Sequence, residues 1–208
     1  MNTRIPEDEG LSTKQLNSRK IPSQSRSVET VRSILESAAR VLEQEALAGY
    51  TTNRVAERAG VSIGSLYQYF PNKDSLTAAL IHREMDALLG SLDTIRTQPR
   101  FRKRMQSMIR AAVMHQMRRP KLARVIDFEE RRLPLGLQMT SISHTLHAAL
   151  REALECDDAP TVQDSSIAAF DLLAIIKGIV DSAGERQETD ATNLEVRVER
   201  AVFGYLRG

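Results

Sequence analysis

The chain has 208 residues, 41% of them hydrophobic and 27% charged, with a formal net charge of +2. That composition supports a folded core and excludes a polycationic coat, so any nucleic-acid contact has to be local. A lone cysteine, Cys156, excludes an intramolecular disulfide, and with no apolar signal core and no run of ~18 apolar residues it points to a soluble protein of a reducing cytoplasm, without a membrane partner.

Residues 1–27 are polar and carry Pro6, Gly10 and Pro22, which predicts a disordered arm. Its bases Arg19, Lys20 and Arg26 could follow phosphates or enter a minor groove. Beyond it apolar residues recur at three and four, and alternating β-branched runs are missing, so the whole chain reads as all-α. Val28, Val31, Ile34, Leu35, Ala38 and Leu42 mark a first helix, ending near Gly49. Thr51 is placed to cap a short helix from Thr52 to about Ala59, and Gly60 to end it in a left-handed turn. Ser62 caps a second short helix through Tyr69. Pro71 breaks it, and Asn72 caps a long helix from Lys73 to about Thr94. Further helices span Arg100 to Arg118, Lys121 to Arg131 and Gln138 to Glu155. Thr161–Asp164 resembles a capping box opening an apolar helix to about Gly184, and Thr192–Glu195 a second one opening the last helix, to Gly208. The total is about nine helices and no sheet.

The segment VAERAGVSIGSLYQYFPNKD, residues 55–74, carries the functional signal. Ala56, Gly60 and Leu66 have the spacing of a helix-turn-helix: a small residue at the crossing, a turn glycine, and a leucine packing beneath. Ser62, Gly64 and Ser65 let the second helix approach base edges, and Gly64 is otherwise poor helix chemistry. Gln68 suits an adenine edge, while Tyr67 and Tyr69 offer hydroxyls to phosphates and rings to thymine methyls. Lys73 at a helix start holds one phosphate wall, and Thr51, Thr52 and Arg54 the other.

The stretch from about Val28 to Leu80 resembles the DNA-binding domain of TetR-family transcriptional regulators. The residues that carry the likeness are GYTTNRVAERAGVSIGSLYQYFPNKDSLTAAL: the double Thr, the AERAGVS turn, the LYxYF helix end and the NKDxL start of the next helix. The resemblance implies a homodimer on a palindromic operator in double-stranded DNA, a nine-helix fold, and repression relieved by a small-molecule effector. It divides the chain into the arm at 1–27, a DNA-binding domain at 28–75, and an effector-binding and dimerisation domain at 76–208.

Within that last region the final two helices are the expected dimer surface, with Phe170, Leu173, Ile176 and Val180 on one and Leu194, Val198, Val202 and Tyr205 on the other. A methionine-rich helix suggests an adaptable pocket formed by Met105, Met108, Met114 and His115, completed by Phe128, Met139, His144 and Phe170. Arg102, Arg110, His115 and Arg119 are candidates for an anionic effector. His144 and His147 have a zinc-pair spacing that nothing nearby completes, and acids beside Cys156 argue against a reactive thiol. No cofactor is expected. No Ser-His-Asp order, phosphate loop or nucleotide glycine motif is visible, which argues against an enzyme. A helical protein-interaction module without DNA binding is the alternative, and the intact polar face from Thr51 to Lys73 speaks against it.

Overall fold

Side-chain caps start five of the helices in the computed structural model, which describes residues 25–207. The predicted arm therefore falls mainly outside the described residues, as does the side chain of Met139. The order is α1 (Ser25–Gly49), α2 (Thr52–Ala59), α3 (Ile63–Tyr69), α4 (Lys73–Leu89), α5 (Leu92–Arg96), α6 (Phe101–Arg118), α7 (Pro120–Arg132), α8 (Gly136–Leu154), α9 (Ser165–Glu185) and α10 (Ala191–Tyr205). Among the described residues there is no strand, and no helix is long and apolar enough to cross a membrane.

The all-α reading holds, with one short helix more than expected. Helix α4 stops at Leu89, before Gly90 and Ser91, and α5 continues as a separate turn of five residues. Two caps also differ. Asp164 itself caps α9, accepting from the N–H groups of Ser166 and Ile167, and Asp190 caps α10 through the N–H of Asn193. A carboxylate at a helix start is favoured by the macrodipole as well as by the hydrogen bond, so it prevails over the neighbouring threonine. Helix α1 breaks at Ala46 (φ 53, ψ −163), a conformation costly for a residue with a Cβ.

Two cores form. The first joins Ile34, Ala38 and Leu42 of α1 with Val55, Leu66, Phe70, Leu76 and Leu80, and α7 contributes Leu122 and Ile126. The second joins Met105, Ile109 and Val113 of α6 with residues of α5, α8, α9 and α10. Leu194, Val198 and Val202 lie wholly inside this second core, and Ile176 and Val180 are buried with them. These five were expected on a dimer surface. The stripe of α10 instead faces α6 and α9 of its own chain, which uses up its apolar face.

A charged seam runs between the cores. At the end of α6, Arg119 forks onto Glu43 of α1 (Nε–Oε1 and Nη2–Oε2 both 2.7 Å) and reaches Glu36 Oε2 at 3.1 Å. Beside it Arg118 Nη2 lies 2.9 Å from Glu84 Oε2 of α4, a buried carboxylate that Arg83 also pairs. Burial pushes the Glu36 carboxyl up, but hydrogen bonds and charge from Arg40, Arg119 and Arg83 outweigh it and hold it below the ordinary range. The basic stretch from Arg96 to Arg132 thus pairs with acids of α1 and α4 as well as with the later acidic region, where Arg96 meets Glu152 at 2.9 Å.

Candidate nucleic-acid interface and helical cavity

The α2–α3 unit is built from caps and one buried leucine. Thr51 Oγ1 accepts from the Arg54 N–H at 3.2 Å and opens α2. Gly60 closes α2 at φ 68, with its N–H on the carbonyls of Ala56 and Glu57. Ser62 Oγ then accepts from the Ser65 N–H at 3.0 Å and opens α3. Neither helix is long enough to persist alone. Val55, Ala56 and Leu66 bury their inner faces on α1, and Phe70 anchors the exit of α3. Asn72 and Ser75 form a reciprocal capping box that starts α4.

This frame leaves Ser62, Ile63, Gly64, Tyr67 and Gln68 exposed along α3, with Ser65 half-buried. A Cβ at Gly64 would meet only Ser62 Oγ, at 3.9 Å, so internal packing does not require a glycine there. Thr52 Oγ1 and Tyr67 OH share a hydrogen bond of 3.0 Å, which ties the start of α2 to the outer face of α3. Tyr69 is half-buried and leans on the first core. Lys73 Nζ sits 5.1 Å from the ring centroid of the buried Tyr50, so its ammonium is held at the α4 start. Arg54 is exposed but engaged, with Glu45 and Glu57 each at 2.9 Å. Exposed pairs of this kind are weak in water, so an incoming phosphate can compete for the guanidinium. Sequence reasoning missed Ile63, whose place beside Gly64 was the available signal.

A cavity of about 210 Å³ lies between α4, α5, α6, α7, α8 and α9. Its apolar walls include Met85, Leu88, Met108, Ile142, Leu146 and Ile176, and its polar end carries His115, Gln116, Asp127, Glu130, Lys177 and Asp181. Of the predicted lining residues whose side chains are described, only Met108 and His115 reach it, and Leu173 and Ile176, expected at a dimer interface, line it too. Met105 is buried in the core instead, and Met114 and Phe128 point outward on the opposite phase of their helices. His144 is exposed, while Phe170 is 56% exposed and lies tilted against the His147 ring with centroids 3.8 Å apart. Three of the four residues expected to meet an anion also lie elsewhere: Arg102 over the Phe203 ring, Arg110 on Glu195, and Arg119 in the seam.

At the polar end Lys177 Nζ reaches Asp181 at 3.1 Å and Glu130 at 3.8 Å. Gln116 is buried and turns one amide N–H 3.4 Å toward Asp127 Oδ2. It fits because residue 184 is glycine: a Cβ there would lie 2.0 Å from Gln116 Nε2. Burial, reinforced by Asp181, raises the Asp127 carboxyl above its usual range. Burial likewise raises Glu130, with Lys177 opposing. Burial lowers His115, leaving a neutral imidazole at neutral pH. Burial would also lower Lys177, but Asp181 and Glu130 outweigh it and keep the ammonium charged. This acid set went unread in the sequence. A Lys–Asp pair interrupting the apolar α9 was its one signal.

Residues 34–80 match the family model for bacterial regulatory proteins of the tetR family, and residues 101–206 match the model for the tetracyclin repressor-like C-terminal domain. The chain belongs to the TetR family. This TetR-family chain is 29% identical over 153 residues to the nucleoid occlusion factor SlmA of Shewanella sediminis, covering 70% of this chain and 78% of the relative. It is 29% identical over 138 residues to an uncharacterised HTH-type transcriptional regulator of Mycobacterium tuberculosis, 62% of this chain and 65% of the other. In fold it is similar to the fatty acid degradation regulator FadR from Bacillus halodurans (TM-score 0.71, 18% identity, 86% of this chain and 96% of that one). It is similar as well to FadR from Bacillus subtilis in complex with stearoyl-CoA (TM-score 0.70, 20% identity, 82% and 96%). The matched domains are those of DNA-binding transcriptional regulators, and the α2–α3 unit lies inside the first.

Proposed function

We propose that this TetR-family chain is a ligand-responsive repressor that binds a palindromic operator as a homodimer and leaves it when a small molecule fills the cavity. In this reading residues 28–75 read DNA, and residues 76–208 hold the effector and the partner copy. The observation that carries it is Gly64, a helix-weakening residue that the protein's own packing does not need, on a face of small and polar side chains. In a major groove that face brings Ser62, Gly64 and Ser65 to the bases, with Gln68 reading an edge and Tyr67 beside it. Tyr69, Lys73, Thr51, Thr52 and Arg54 bracket it on the phosphates.

A second copy would supply the other half-site, about 34 Å away. The surface that supports it is the outer stripe of α9, with Ile167 59% and Phe170 56% exposed, followed by exposed Ala174 and Gly178. Tyr205 flanks the stripe through its hydrogen bond to Asp171 at 2.7 Å.

The cavity and the seam share α6. His115 and Gln116 line the cavity, and the next turn carries Arg118 and Arg119, which grip α4 and α1. Occupancy that shifts the end of α6 would turn α1 and α4, and with them α3. The test is fluorescence anisotropy on the chain's own upstream DNA. Gln68→Ala should change sequence preference more than affinity, Lys73→Ala should weaken all sequences with the melting temperature nearly unchanged, and Tyr69→Ala should weaken them with some loss of stability, since its ring packs on the first core. Wild-type binding by all three variants would refute the α3 assignment.

A further inference from the structure

We infer that the effector is an amphipathic organic cation, its apolar body between the leucine, isoleucine and methionine walls and its positive head among Asp127, Glu130 and Asp181. This rests on the reading of the cavity as the effector site and names the chemistry that site selects.

The walls settle the first half of the description. Met85 and Leu88 of α4, Met108 of α6, Ile142 and Leu146 of α8 and Ile176 of α9 give the cavity an apolar body that only a hydrocarbon or aromatic surface would fill with gain. The charge balance at the other end settles the second half. Three carboxylates, those of Asp127, Glu130 and Asp181, face one ammonium, that of Lys177. Lys177 sits nearer Asp181 than Glu130, and Asp127 has the neutral Gln116 amide as its hydrogen-bond donor. The imidazole of His115 adds no charge at neutral pH, since burial keeps its pKa down. The remaining charges acting on these groups are Glu84, Arg118 and Arg131; Arg118 and Arg131 are exposed, and Glu84 is paired to Arg83 and Arg118. The polar end therefore holds excess negative charge on partly buried carboxylates, beside a lysine whose side chain is 57% exposed, an arrangement that a bound cation would relieve.

An anionic amphiphile meets the opposite situation. Its head would lie against carboxylates, with the single lysine already engaged. A thioester of coenzyme A, such as the stearoyl-CoA held by the B. subtilis FadR neighbour, carries phosphates and is disfavoured here on the same ground. A neutral amphiphile would fill the apolar walls and leave the acids uncompensated.

The experiment is isothermal titration of the full chain with three probes that share a tail: octyltrimethylammonium, octanoate and octanol. The ammonium should bind at least about tenfold more tightly than octanoate, with octanol between. Glu130→Gln should weaken the ammonium about fivefold or more, and so should Asp127→Asn, while octanol changes little. Both substitutions remove charge from an under-neutralised cluster, so the variants are expected to fold, which their melting curves check. Ammonium binding should also weaken as pH falls, because burial holds the carboxyls of Asp127 and Glu130 above their ordinary range and they take up protons first. Octanoate binding as tightly as the ammonium would overturn the inference, and so would ammonium affinity unchanged in both variants. Release of operator DNA is scored separately. Octanoate that binds and releases DNA overturns the cation and keeps a ligand-responsive repressor. An acid-dependent ammonium that binds without releasing DNA keeps the cation site and overturns the repressor mechanism.

Discussion

The α3 tip and the cavity place polar groups in opposite ways. At the tip, hydroxyls and amides stand on a convex surface, and the scaffold beneath is satisfied by its own caps: Thr51, Gly60, Ser62 and Asn72 each close a helix end. In the cavity, charged groups stand on a concave surface and are satisfied only in part, with Lys177 shared between two acids. The tip can therefore be stable while empty. The polar end of the cavity is a place where stability has been given up, and such sites mark function.

That contrast can be broken or sharpened by substitution. Leu66, fully buried under α3, should give the largest effect: Leu66→Ala is expected to cost ~2–5 kcal/mol in urea unfolding and to abolish operator binding with it. A folded, DNA-binding Leu66→Ala protein would mean that the tip does not depend on its core. Arg119→Ala removes hydrogen bonds to two carboxylates in the seam, and charge-assisted bonds are worth ~1.5–3 kcal/mol each before solvent screening. It should lower stability by less than the leucine change. It should also leave effector binding intact while blunting the release of DNA, which titration and anisotropy measure separately. Gly64→Ala should act in two directions, stabilising the protein by about 0.5–1 kcal/mol while weakening operator affinity. An alanine variant that bound DNA like wild type would remove the reason offered for that glycine.

The smallest expected effect is a difference in sign with pH. Glu36, held below the ordinary carboxylate range, contributes stability that is present above its unfolded pKa and lost as pH falls through its folded value. Asp127 and Glu130 lie above their ordinary values, so the folded state takes up protons first, and their stability penalty at neutral pH is relieved as pH falls. Thermal melts at neutral pH should therefore show Glu36→Gln lowering Tm and Glu130→Gln raising or preserving it. Melts at acid pH should show both differences shrinking.

The tip was legible in the sequence because its determinants are local. A cap, a turn glycine and a buried leucine act within a few residues of one another, and Thr51, Gly60, Ser62 and Asn72 all appear in their expected roles. The cavity was not, because Asp127 and Glu130 are brought to Lys177 and Asp181 by the packing of α7 on α9, which no local pattern encodes. The methionine run of α6 failed for a related reason. Composition marked the helix, but rotation about its axis decides that Met108 meets the cavity, Met105 the core and Met114 solvent. The same ambiguity placed Leu194, Val198 and Val202 on an outer surface: an apolar stripe states that something covers it, and here the cover is the chain's own α6 and α9.

The bare backbone at Gly184 acts as a tuning position. A methyl group there would collide with the far end of the buried Gln116 side chain, which would have to shift. Retreat would strip Asp127 of its amide neighbour and deepen the electronegativity of that corner. On the proposed reading, substitution at residue 184 would retune the effector site from a position outside its lining.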